Sequence, residues 1–87
     1  MNIKTKYEIG QHIWCVDVDN NGGQLYVYDT YIVGITIDKN DMYYTVDEQN
    51  YFEVNEEDII LYEDKDKLYE IIKIKMKEAN EIMEKEA

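Results

Sequence analysis

Arginine, serine and proline are absent from this 87-residue chain, and cysteine and histidine occur once each. The lack of arginine, with only nine Lys against twenty Asp and Glu, makes a bare nucleic-acid backbone a poor partner. Phosphate binding depends on Lys and Arg displacing counterions. Without serine, the familiar hydrolase arrangements cannot be assembled. A single cysteine, Cys15, permits no intramolecular disulfide and gives no support to secretion. One cysteine and one histidine do not make a zinc site. His12 and Cys15 are three residues apart and point to opposite faces of a strand, so they do not form a nucleophile pair. Cys15 reads as a small core residue and His12 as a surface one. No basic segment leads into a long apolar run at the N-terminus, and no stretch approaches the ~18 apolar residues of a membrane span. The expectation is a cytoplasmic protein with no membrane contact, no cofactor and no enzymatic constellation.

What the chain does have is acid, unevenly placed. Residues 1–63 carry thirteen Asp and Glu against three lysines, a net of −10. Residues 64–87 carry seven acids and six lysines, a net of −1. The hydrophobic fraction of 45% and nine tyrosines nevertheless fit a folded domain rather than an acidic tail. A basic protein surface is the natural partner for such a charge.

Alternation of apolar residues marks the strands. Residues 1–6 read as a frayed start and Tyr7 to Gly10 as a lead-in with a turn. Ile13 to Val18 is the first strand, followed by a turn at Asp19 to Gly23. Gln24 to Asp38 is a long β-prone run, with Tyr31, Val33, Ile35 and Ile37 alternating against their neighbours. Asp29-Thr30 is a candidate division of that run, and Gly34 a candidate bulge. Met42 to Val46 and Tyr51 to Val54 are strands, the second with Phe52 and Val54 inward. Asn55 to Asp58 fits one tight helical turn, and Ile59 to Tyr62 closes the β region. From Asp64 the period becomes helical: Leu68, Ile72, Met76, Ala79 and Met83 share a face that Ile71, Ile74 and Ile82 broaden. Asp64 or Asp66 can cap this helix, whose last turns are long enough to project beyond a small barrel. Glu70 with Lys73, and Lys77 with Glu81, stand at ion-pair spacing on its outer side.

The order of these pieces resembles the SH3-like barrels. Tyr7-Glu8-Ile9-Gly10-Gln11-His12-Ile13-Trp14 is similar to their opening segment, with Gln11 where Asp is usual. Ile32-Val33-Gly34-Ile35 resembles their second-strand Gly-x-Ile. Tyr43-Tyr44-Thr45-Val46 resembles their third strand. Glu56-Glu57-Asp58-Ile59 resembles the 3₁₀ turn before their last strand. The resemblance covers about residues 7–62; small proteins of this kind occur in phages and low-GC Gram-positive bacteria, and the Lys-, Asn-, Ile- and Tyr-rich composition agrees with an AT-rich genome of either source. It implies a mainly β (β+α) fold: a five-stranded SH3-like barrel over residues 1–63, then a C-terminal α-helix over residues 64–87, packed on the barrel or pairing two copies as a homodimer. The stretch from Asp17 to Asp29 is longer than a minimal barrel needs and suggests a protruding hairpin with Tyr26 and Tyr28 at its base.

Three constellations carry candidate chemistry. Asp17, Asp19 and Asn21, with Gly22, match the first half of a calcium loop. Tyr28 stands where the bidentate Glu should be, which favours a plain acidic turn. Among Trp14, Tyr26, Tyr28, Tyr31, Tyr43, Tyr44, Tyr51 and Phe52 an aromatic cage for a cation is conceivable, with Asp29, Asp47 or Glu53 as its acid; about half of these rings must instead fill the core. The runs Asp47-Glu48 and Glu56-Glu57-Asp58 are either solvated loops or part of an acidic track. The function expected from this set is a non-catalytic protein-binding module. Its acidic, tyrosine-rich face, built from Tyr26, Tyr28, Asp29, Tyr43, Asp47, Glu48, Tyr51, Glu56, Glu57 and Asp58, would take a basic partner. The alternative is a phage-encoded inhibitor of host defence that mimics nucleic acid or sequesters a ligand.

Overall fold

The computed structural model describes residues 5–86, and of Glu86 the backbone only; most of the expected frayed start, residues 1–4, lies outside that range. Five strands and one long helix follow in order: β1 (His12–Val18), β2 (Leu25–Ile37), β3 (Met42–Val46), β4 (Phe52–Val54), β5 (Ile60–Leu61) and α1 (Lys65–Glu86), with a 3₁₀ turn at Glu56–Asp58. The strands form one antiparallel sheet in the order β4-β3-β2-β1-β5. The fold is thus mainly β with a C-terminal helix. Closure into a barrel, expected because it removes edges, is not made by hydrogen bonds. β4 and β5 are the two ends of the ladder, the 3₁₀ turn stands between them, and β5 is only two residues long.

β1 and β2 form a regular hairpin from His12 opposite Tyr31 to Val18 opposite Leu25. The stretch from Asp17 to Asp29 is therefore the continuation of this ladder and not a loop inserted into it. Its turn is closed by Gly23 N–H to the Asp19 carbonyl at 2.8 Å and by Asp19 N–H to the Gln24 carbonyl at 2.8 Å. The Asp19 carboxylate accepts from Asn21 N–H at 2.9 Å, an Asx turn.

β2 is not divided at Asp29-Thr30. It runs unbroken for 13 residues, its first half paired with β1 and its second with β3. The register slips between Ile32 and Gly34, where the bulge was expected. The extra residue breaks the simple alternation, so Ile32 and Ile35 both reach the core although their parity differs.

Tyr7, Ile13, Ile32, Tyr44, Val46 and Ile59 form the core, with Cys15, Ile35, Met42, Val54 and Leu61 packed against it. Burial of each large aliphatic member contributes roughly 1.5–3 kcal/mol. Tyr44 is wholly buried, and its hydroxyl accepts from Tyr7 N–H at 3.2 Å and donates to the Glu56 carboxylate at 3.1 Å. The Tyr7 ring meets it edge-on, centroids 5.6 Å apart. Phe52, expected inward, is 42% exposed because the sheet ends at β4 and nothing packs over it from that side.

Asp64 caps α1, its carboxylate accepting from Lys67 N–H at 3.2 Å. The Lys67 ammonium reaches back to the Ile59 carbonyl. α1 packs chiefly against β1, and its second half, at Ala79 and Met83, lies against Gly23 at the hairpin tip. The helix therefore stays engaged as far as Met83 instead of projecting. Its buried stripe is rotated from the expected one. Leu68 and Ala79 are buried and Ile71, Ile72, Lys75 and Ile82 half-buried, while Ile74, Met76 and Met83 stay about half exposed. A narrow strand edge and a turn cover less of a helix than a sheet face would.

Gly23 has φ +70, and a Cβ there would lie 2.5 Å from the Ala79 carbonyl oxygen. Gly23→Ala should therefore cost on the order of 1–3 kcal/mol in urea denaturation. Gly22→Ala, at ordinary φ with nothing within 4 Å, should change stability by less than about 0.5 kcal/mol.

Candidate functional site

Two surfaces gather chemistry. The first is the outer face of β1. Strand parity places His12 and Trp14 on that face, and the register sets Tyr31 opposite His12 and Asp29 opposite Trp14. Tyr62, just past β5, arrives beside them through Tyr62 N–H to the His12 carbonyl at 3.0 Å. The rings form a continuous stack. His12 lies between Tyr31, at 4.7 Å and 18°, and Tyr62, at 3.9 Å and 8°. Trp14 lies on Tyr62 at 5.0 Å and 12°, and its indole N–H donates to the Tyr62 carbonyl at 2.9 Å. The Lys65 ammonium, in the first turn of α1, sits 4.6 Å from the Trp14 ring centre and 4.8 Å from that of Tyr62. His12 Nε2 donates to the Asp29 carboxylate at 2.7 Å, and this bond is the main reason that the Asp29 carboxyl titrates below the ordinary range. The stack ties β2, β1, β5 and the start of α1 together. His12 is thus half-buried and fully engaged, not a free surface residue.

The second surface is the seam of the open sheet. A cleft of about 300 Å³ runs between β4 and β1, bounded by α1 at Ile71 and Lys75. Cys15, Tyr28 and Ile59 lie on its inner side, Phe52 and Val54 on one wall, and Asp17, Glu53 and Asp58 supply its carboxylates. Burial pushes the Cys15 thiol up to about 11, with Asp17 and Asp47 adding to the rise against a lowering contact from the Tyr28 hydroxyl. Tyr28 is pushed up to about 12, again by burial first. At neutral pH both keep their protons, so Cys15 is a protonated wall residue and not an activated nucleophile.

The residues singled out in the sequence are not brought to one face. Tyr28 and Asp58 meet at the cleft. Tyr26 stands two ladder pairs nearer the hairpin tip, paired across from Asp17, its hydroxyl donating to Gln24 at 2.9 Å. Asp29 is on the outer face with His12. Tyr43 donates to Asp41 at 3.2 Å in the β2–β3 turn, a bond that raises its own pKa. Asp47, at φ 68, closes the β3–β4 turn by accepting from Gln49 N–H and the Asn50 amide, which lowers its pKa; Glu48 is exposed beside it, and Tyr51, at φ 52, is 65% exposed. Glu56 is engaged by Tyr44, leaving Glu57 and Asp58 as the exposed acids of the 3₁₀ turn. Asp17 is a ladder residue of β1, and Asp19 and Asn21 bond to each other in the Asx turn. Among the described residues no three His, Cys, Asp or Glu gather as a metal site. The aromatic rings likewise divide between core, stack and turns, and the stacked ones are nearly parallel rather than boxed around a cation. Of the residues that matter most, His12, Tyr62, Lys65 and Glu53 drew little notice in the sequence. The shared parity of His12 and Trp14 was the available signal.

No family model matches the chain, and no curated protein or solved structure matches it. No helix of the described residues is long and apolar enough to cross a membrane.

Two expectations follow from this geometry. Tyr62→Ala removes the middle ring of the stack and should cost roughly 2 kcal/mol, with a red shift of Trp14 emission as the indole gains water. Because Cys15 and Tyr28 hold their protons more tightly folded than unfolded, their contribution to stability should be full at neutral pH and fall away as pH rises through 9 toward 11. Urea titrations across pH 8–11 should show that fall, and Cys15→Ala should make it shallower.

Proposed function

We propose that the chain is a non-catalytic binding module whose acidic β region takes a basic segment of a partner protein. The observation that carries this reading is the lack of internal neutralisation. Among the described residues only two ion pairs lie within 4.0 Å: His12 with Asp29, and Lys75 with Glu78 at 3.5 Å. The expected pairs Glu70–Lys73 and Lys77–Glu81 are not formed, as is common for exposed pairs that gain little over their entropy cost. The only Lys–carboxylate pair among the described residues thus belongs to α1, and no described lysine pairs with an acid of the β region. That charge favours a cationic partner and raises its rate of encounter.

Within the β region the seam cleft is the best-formed receptor. It combines an apolar lining, able to take the stem of a Lys or Arg, with carboxylates able to take the head group. The strand order β5-β1-β2-β3-β4, the long β2 shared by both halves, and the 3₁₀ turn before β5 support an SH3-like architecture, a fold used for many binding roles.

The test is binding of a fluorescent decalysine peptide, with decaglutamate as control. Decalysine should bind, and should weaken at least tenfold between 50 and 300 mM salt. Reversal of the cleft acids in Asp17→Lys/Glu53→Lys/Asp58→Lys should abolish binding, whereas Asp38→Lys/Asp41→Lys in the β2–β3 turn should weaken it only slightly. Equal loss from both variants would mean diffuse attraction without a site.

A further inference from the structure

The geometry points to the free edge of β4 as the docking strand for this partner: an extended basic segment adds to the sheet beside Phe52–Val54 and places a Lys or Arg side chain in the seam cleft. This rests on the basic-partner reading above and specifies how the partner is held.

β4 pairs with β3 through Phe52 opposite Val46, Glu53 opposite Thr45 and Val54 opposite Tyr44. As the end of the ladder, it has no strand on its other side. An open edge offers unpaired backbone N–H and C=O groups to any passing strand, and proteins usually blunt such edges with Pro, Lys, a bulge or a covering element. β4 has no Pro, Lys or bulge; its sequence is Phe-Glu-Val, so its protection is its three-residue length and the charge of Glu53. Its one charge, Glu53, selects what can pair there. In antiparallel pairing of two copies through this edge, Glu53 would face an acid of the same strand, and like charges placed opposite destabilise a ladder. A second copy is thereby disfavoured and a strand with a cation at that position favoured.

The cleft lies on the same side. Phe52, Glu53, Val54 and Asn55 line it, and Cys15, Val16 and Asp17 of β1 line it opposite. Its volume, about ten water molecules' worth, suits one long side chain rather than a further folded element. The charged groups that face it are Asp17, Glu53, Asp58 and, from α1, Lys75. The cation of Lys75 opposes an incoming cation, although its ammonium is turned toward Glu78 at 3.5 Å. In strand addition the main-chain bonds supply affinity and the alternate side chains supply selectivity.

The probe is an octapeptide of alternating Lys and Val, beside the same peptide N-methylated at its valines, which keeps charge but cannot donate along one edge. Titrations are followed by amide NMR and hydrogen exchange. The expected result is at least tenfold weaker binding of the methylated peptide, and, with the unmodified one, slowed exchange at those β4 amides that face away from β3. Lys75→Glu should tighten binding severalfold. Equal binding of both peptides, or protection elsewhere than β4, would overturn strand addition while leaving the basic-partner reading in place. If neither peptide nor decalysine binds, both readings fail. If decalysine binds at the cleft acids and the octapeptide does not, strand addition alone fails.

Discussion

A phenol buried without a trace of solvent must find partners for its hydroxyl, and the Tyr44 hydroxyl finds them at both ends of the β region. Leaving such a group unpaired costs about 1–3 kcal/mol. Tyr44 accepts from the Tyr7 backbone in the lead-in and donates to Glu56 in the 3₁₀ turn. One side chain of β3 thus fixes the segment before β1 and the segment before β5. Burial is also the chief reason that its own ionisation is displaced upward, with Glu56 acting the same way. The proton stays on the phenol, where the bond to Glu56 needs it. The 3₁₀ turn held in this way carries Asp58 to the mouth of the cleft, so the core bond and the candidate binding surface are one construction.

A second constraint is the length of β2. The strand serves two ladders in turn, and the bulge at Ile32/Gly34 lets it change direction while keeping Ile32 and Ile35 inward. Its first half extends the hairpin with β1 beyond the short β5. That leaves part of β1 without a strand on the side away from β2, and α1 packs against β1 instead. The close approach at Gly23 shows how tightly the helix is seated at the far end, and the stack of Tyr31, His12, Tyr62 and Trp14 under Lys65 seats it at the near end. The helix is held by its two ends more than by a broad apolar face, which is why Met76 and Met83 are left half exposed.

Elements with strong local signals were legible in the sequence. Turns rich in Asn, Asp and Gly, the alternation in Met42–Val46, the tight turn at Glu56–Asp58, the Asp64 cap and the bulge near Gly34 all depend on neighbours a few residues away. What the sequence hid depends on distant pairing. Glu56 reads as one acid in a solvated run, and only the approach of Tyr44 makes it a half-buried partner. His12 reads as a lone surface histidine, and only Tyr62, fifty residues on, turns it into the centre of a stack. The helix stripe was misjudged by roughly one flank because period alone does not reveal whether a helix meets a broad face or a narrow edge. The cleft exists because the ladder fails to close, and no local pattern announces a missing hydrogen bond.

The unneutralised acids and the open edge bear on each other. Self-repulsion among acids that lack cationic partners weakens the compact state. An 87-residue chain has only a modest margin to spend against it. Any cationic segment that binds only the folded form returns that stability by mass action, about 2.7 kcal/mol at a hundred times its dissociation constant. An acidic edge strand converts the same repulsion into selectivity, since it opposes pairing between copies while accepting a basic strand. Edge protection and partner choice then come from a single residue type. On the proposed reading, the excess of acid disfavours edge pairing between copies and leaves the edge to a basic chain.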